Sequence, residues 1–180
     1  TLDPTMGKAP SPMGALMINA SYTDAGGTDV KPMTGSNSLY LISNSVDPGL
    51  ASDLNGYAAM AFDGRNLLTV PSEAGYFALP ALDMNGIGSV TFTVASPEPI
   101  TTPVDFEIRH GSPTGELIGS GTYTQGPGVK DPNVPVMFSQ ATIPMNKNSG
   151  AEKQPIYILS KPQNSDLGTF IIAGITFNPN

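Results

Sequence analysis

A strict alternation of apolar and polar residues over 89–94 constrains this chain more than any other feature. Val90, Phe92 and Val94 share one face, and Ser89, Thr91 and Thr93 share the other. A period of two marks a half-buried antiparallel strand. Val104, Phe106 and Ile108 repeat the pattern against Asp105, Glu107 and Arg109. After His110, the run Gly111-Ser-Pro-Thr-Gly115 is turn chemistry, with Pro presetting φ and Gly supplying positive φ, and Glu116 to Tyr123 returns as another strand. The stretch Asp83 to Tyr123 is therefore a strand, a Pro-rich connection, a strand, a tight hairpin and a strand.

The rest of the chain is read around that unit. Further strands are predicted over Gly14–Tyr22, Ser38–Ser43, Arg65–Val70, Gly75–Leu79, Val136–Ile143, Pro155–Ser160 and Thr169–Phe177. Tyr57–Phe62 reads as strand or helical turn, because its alanines weaken a strand assignment. Asn44–Gly56 and Gln125–Pro135 read as loops, and Asn146–Gly150 as a turn. About ten strands at spacings of roughly 8–12 residues predict an all-β fold, two antiparallel sheets packed face to face as a jelly roll. The last strand is almost continuously apolar and is expected to be central and covered on both faces. Residues 1–14, rich in Pro and without periodicity, are expected to be a linker or N-terminal arm, and 15–180 a single domain. The chain begins at Thr1 without a signal peptide and is expected to be a mature product or an excised domain.

Composition removes several functions. Only 13% of residues are charged and the formal net charge is −7, which gives no footprint for nucleic acid or an anionic membrane. No apolar run approaches the ~20 residues of a membrane helix. The absence of cysteine excludes disulfides, thiolate zinc sites, c-type haem attachment and a Cys nucleophile. A catalytic triad would have to use the single histidine, His110, whose neighbour Ser112 is already explained by the turn. Asp53, Asp63, Glu73, Asp83 and Glu107 are scattered acids whose spacing indicates solvated turn and face charges, not a glycosidase pair. An enzyme is not expected.

The order Tyr76-Phe-Ala-Leu79, Leu82-Asp-Met-Asn-Gly-Ile87, Ser89-Val-Thr-Phe-Thr-Val-Ala-Ser96, Glu107-Ile-Arg109, Ser112-Pro-Thr-Gly115 and Leu117-Ile-Gly119 resembles family 6 carbohydrate-binding modules. More narrowly it is similar to the version attached to bacterial quinoprotein sugar dehydrogenases, cytochrome c domains and ThuA-like domains. Ala20-Ser-Tyr-Thr-Asp-Ala-Gly-Gly27 and Pro32-Met-Thr-Gly-Ser36 fit that subgroup. The resemblance spans roughly Ala15 to Phe177 and implies a jelly roll that binds polysaccharide or oligosaccharide, outside the cell or in the periplasm.

It also implies a structural calcium, held by a Glu of the first strand and an Asp of the last. Those positions are Ser21 and Ala173 here, so the family's calcium site is not expected, and no cofactor is. Asp24 and Asp29 offer a separate calcium site in a Gly-rich loop, where aspartates more often make Asx-turns. The family's sugar cleft lies at the loop end, with aromatic platforms and an Asn whose position is Ile171 here. The chain has no Trp. A sugar's C–H face needs an aromatic ring, and its hydroxyls need amide or carboxylate partners. The candidate rings are Tyr22, Tyr57, Tyr76 and Phe138. Two readings follow: a non-catalytic carbohydrate-binding module of a secreted bacterial multidomain protein, or a jelly roll that has kept the fold and binds a neighbouring cytochrome, dehydrogenase or other protein subunit.

Overall fold

The computed structural model describes residues 15–124, 129–130, 135–146 and 153–180. The expectations placed on 1–14, on most of the loop from Gln125 to Pro135 and on 147–150 lie outside the described residues. The chain forms two compact units, Thr1–Ser43 and Asn44–Asn180.

In the first unit, β1 (Ala15–Thr23) pairs antiparallel with β2 (Thr34–Ile42), from Ala15 opposite Ile42 to Thr23 opposite Thr34. Cross-strand side-chain bonds fix the register: Ser38 Oγ donates to Asn19 Oδ1 at 2.6 Å, and the Thr23 and Thr34 hydroxyls lie 2.7 Å apart. The connection is closed by Asp24, whose Oδ1 accepts from the backbone N–H groups of Gly26 and Met33. Gly26 sits at φ +68°, where a Cβ would strike the Val30 carbonyl oxygen, so glycine is required there.

The described residues of the second unit carry twelve strands. In chain order they are β3 (Ser45–Val46), β4 (Ser52–Asn55), β5 (Ala58–Phe62), β6 (Arg65–Thr69), β7 (Gly75–Leu82) and β8 (Ile87–Ser96). They continue with β9 (Val104–His110), β10 (Leu117–Tyr123), β11 (Val129–Lys130), β12 (Met137–Pro144), β13 (Gln154–Pro162) and β14 (Ile171–Pro179). One sheet runs β10-β9-β13-β7-β4 and the other β11-β12-β8-β14-β6-β5, with β3 also on β14. All the ladders are antiparallel, so the predicted β-sandwich is the observed fold. No helix among the described residues is long and apolar enough to cross a membrane.

The alternation read from sequence is the alternation observed. Val90, Phe92 and Val94 of one sheet, and Val104, Phe106 and Ile108 of the other, are all buried. Phe92 meets Phe106 across the sandwich at 5.1 Å between ring centroids, and Phe106 meets Phe170 at 6.2 Å. These inward faces close one core between the sheets. The outward residues of β9 (Asp105, Glu107 and Arg109) are half-buried on the far side of their sheet.

Two expectations change. Asn44–Gly56 is not all loop: β3, a 3₁₀ turn at Pro48–Leu50 and β4 lie within it. Asp47 caps that turn by accepting from the Gly49 N–H at 2.6 Å. The strand β14 is central, flanked by β8 and β6, but its outer residues Ile171, Thr176 and Asn178 are only half-buried. The pairing slips between Ile172 and Gly174. That bulge turns both Ile172 and Ile175 into the core, though they stand an odd three positions apart. An almost unbroken apolar run thus arises without a second covered face.

The β9–β10 hairpin closes as its turn residues predict. The His110 N–H donates to Glu116 O at 3.0 Å, and the Gly115 N–H donates to Ser112 O at 3.0 Å. A Cβ at Gly115 would collide with the His110 carbonyl oxygen, a backbone atom that cannot swing away. Gly115→Ala is therefore expected to cost about 1–3 kcal/mol, read as a lower urea midpoint at unchanged slope.

Candidate functional site

The outer face of the five-stranded sheet holds an open groove of about 580 Å³, lined by residues from all five strands. Strand register explains how residues distant in sequence meet there. Ser120 is opposite Glu107, Glu107 opposite Leu159, Leu159 opposite Tyr76, and Tyr76 opposite Asn55. A second row places Thr122 opposite Asp105 and Asp105 opposite Lys161. Side chains alternate across a strand, so every one of these faces away from the core. Four strand-to-strand steps of ~4.8 Å make a groove floor roughly 19 Å wide.

The polar groups of the groove are held by their neighbours. Arg109 grips Glu107 Oε2 through Nε at 2.7 Å and Nη2 at 2.6 Å, while its Nη1 donates to Gly115 O at 2.8 Å. The guanidinium is thereby fixed between the groove and the hairpin turn. Thr122 Oγ1 donates to Asp105 Oδ1 at 2.6 Å, and Gln163 Nε2 donates to the same oxygen at 3.3 Å. Glu107 is 42% exposed and paired with a cation. Both carboxylates accept hydrogen bonds from their neighbours.

Tyr76 of β7 is the aromatic ring in the groove's lining, and Tyr157 of β13 packs against it from outside that lining. Their centroids are 5.9 Å apart, edge to face at 60°, and both rings are half-buried. The Tyr157 hydroxyl donates to Asp53 Oδ2 at 3.1 Å. That carboxylate, by hydrogen bond and charge, pushes the Tyr157 pKa above its usual value near 10.

The four candidate rings fall in four settings. Tyr76 lines the groove. Tyr57 is 6% exposed, packed edge-on against Phe77 at 4.9 Å, and presents no face to a ligand. Burial pushes its phenol pKa up, and the nearby Ser160 hydroxyl offsets part of the effect. Phe138 lies on the other sheet, opposite Ala95, which is itself opposite Ile171, so Phe138 and Ile171 share a row on the face away from the groove. Tyr22 is 74% exposed on β1 of the first unit. Tyr157, Asp105, Lys161 and Asn55 were not singled out by sequence. Ile156 and Ile158 are buried, so the alternation in β13 carries the signal that Tyr157 and Leu159 face outward.

Among the described residues no group of three or more His, Asp or Glu side chains is placed to hold a metal ion. Asp24 Oδ1 is engaged by the two backbone N–H groups of its own turn.

No protein-family model matches the sequence, and no curated protein matches it significantly. Solved structures do. The chain is similar to a family 6 carbohydrate-binding module from Clostridium cellulolyticum in complex with xylose, at 21% identity and TM-score 0.54, over 76% of this chain and 97% of that one. CsCBM6-3 from Clostridium stercorarium, in complex with cellobiose, is 17% identical at TM-score 0.52, over 76% and 93%. A β-1,3-glucan-binding family 6 module from Bacillus halodurans is 16% identical at TM-score 0.54, over 76% and 96%. At these identities the likeness establishes the fold: this chain has the β-sandwich of carbohydrate-binding modules.

Proposed function

We propose that this chain is a carbohydrate-binding module that holds a neutral polysaccharide or oligosaccharide, without catalysis, across the outer face of its five-stranded sheet. The groove carries the reading. It offers a tyrosine surface for a sugar's C–H face, with Asn55, Asp105, Glu107, Lys161, Ser120 and Thr122 within its lining for hydroxyl groups. Its volume falls in the ~300–1,000 Å³ range of ligand sites, and its width suits an oligosaccharide better than a single sugar. The fold's neighbours, solved with xylose and cellobiose or described as binding β-1,3-glucan, support a glycan of the same uncharged class.

The charges argue against a polyanion. Two carboxylates and one ammonium line the groove, and the chain as a whole carries −7. A polyuronate would meet like charge both at long range and at contact. The setting that suits such a module is a bacterial multidomain protein outside the cell or in the periplasm, where it keeps a neighbouring domain close to its polysaccharide.

Isothermal titration against cellohexaose, xylohexaose, laminarihexaose and a polygalacturonate oligomer tests the reading. Saturable binding of at least one neutral chain, with none to the uronate, is expected. Silence toward all the neutral chains, or preference for the uronate, contradicts it.

A further inference from the structure

We infer that Asp53 is a positioning residue at the edge of the groove, fixing the Tyr157 ring from two strands away against Tyr76, which lines it. The inference rests on the glycan-binding reading for its consequence, but its geometry stands alone. The strands β4 and β13 are not neighbours, since β7 runs between them. Tyr157 and Ser52 are both opposite Ala78 of β7. The Tyr157 side chain therefore reaches over Ala78 to bond Asp53, and Ala78 is left only 4% exposed. Alanine is small enough to be bridged in this way; a larger side chain would stand between hydroxyl and carboxylate.

The backbone at Asp53 indicates that the contact has a use. Its φ is +47°, in the left-handed region that side chains rarely adopt. Among the described residues only Asp63 shares this feature, and Asp63 lies in the Asp63-Gly64 turn joining β5 to β6, where turn geometry accounts for it. Asp53 lies inside a strand, at a break in register between Ser52 and Asn55. The bulge adds a residue to β4 and directs its carboxylate at the tyrosine hydroxyl. Strain of this kind persists where the surrounding structure holds it and commonly marks a functional site. With its hydroxyl anchored, Tyr157 keeps its edge-to-face contact with Tyr76, and the two rings form one surface. The anchoring bond is present while the phenol is protonated and is lost as the pH rises through its raised pKa.

The test uses the full chain and the variants Asp53→Gly, Asp53→Asn and Tyr157→Phe. Glycine relieves the backbone and removes the acceptor; asparagine tolerates the backbone and keeps a neutral acceptor. Three results are expected. The ring-to-ring nuclear Overhauser effect between Tyr76 and Tyr157 is lost in Asp53→Gly and kept in Asp53→Asn. One tyrosine in the absorbance titration ionises at lower pH in both Asp53 variants, and Tyr157→Phe lacks that tyrosine while keeping the late-titrating Tyr57. Affinity for the best neutral hexasaccharide falls about tenfold in Asp53→Gly and recovers to within about threefold of wild type in Asp53→Asn, with no loss of Tm in the glycine variant. An unchanged ring contact in Asp53→Gly overturns the inference whether or not any glycan binds, as does a lowered Tm in both variants without rescue by asparagine. A wild-type protein that binds no glycan but shows the ring and titration effects overturns the glycan reading alone.

Discussion

Truncating Phe106 to alanine is expected to destabilise the protein by about 3–5 kcal/mol. The residue is 1% exposed and stands where the two sheets meet, against Phe92 on one side and Phe170 on the other. Phe170 in turn packs on Tyr123 at 5.3 Å, so the cavity would open in a connected aromatic group whose rings cannot all shift to fill it. A domain's whole stability is about 5–15 kcal/mol, so the variant should sit near the edge of folding. Equilibrium urea unfolding checks this, with a large fall in midpoint at little change in slope. The position also ties stability to function, since its sequence neighbours Asp105 and Glu107 both line the groove. A loss below about 1 kcal/mol would mean that the core is not centred on this ring.

Replacing Tyr76 and Tyr157 together by alanine is expected to reduce glycan affinity about a hundredfold, or ~2.7 kcal/mol, while leaving the fold intact. Either single variant should lose about tenfold. The rings touch, so the effects will not add cleanly: removing one frees the other to turn. Both side chains point outward from the sheet and leave the core rings in place, which separates this loss from unfolding. Calorimetric titration with an unchanged melting curve is the measurement. Undiminished binding in the double variant would put the site elsewhere, with Phe138 on the opposite sheet face the first place to look.

The sandwich was legible where one face of a strand is dry and the other wet. Val90-Thr-Phe-Thr-Val94 and Val104-Asp-Phe-Glu-Ile108 show it directly, because period two in hydrophobicity is the pattern of a half-buried strand. The edge strand β4 was not legible: Ser52-Asp-Leu-Asn55 is mostly polar, has no buried position and is bulged, so it has no buried face to print an alternation. The same logic explains β14, where a bulge brings apolar residues of both parities to one side. For the site, Tyr76 was reachable and Tyr157 was overlooked. The family resemblance directed attention to a loop-end cleft, whereas the groove lies on a sheet face and draws its residues from register. Register between β13, β9 and β7 is a long-range property, and no local pattern states that Leu159 stands between Glu107 and Tyr76.

A two-dimensional ¹H–¹⁵N nuclear magnetic resonance titration with the best-bound neutral hexasaccharide locates the bound glycan on the protein. Shifts are expected to concentrate on Asn55, Tyr76, Asp105, Glu107, Ser120, Thr122, Tyr157 and Lys161, outward positions of one sheet. Shifts confined to the face around Phe138 and Ile171, or to the first unit around Tyr22, would contradict that placement.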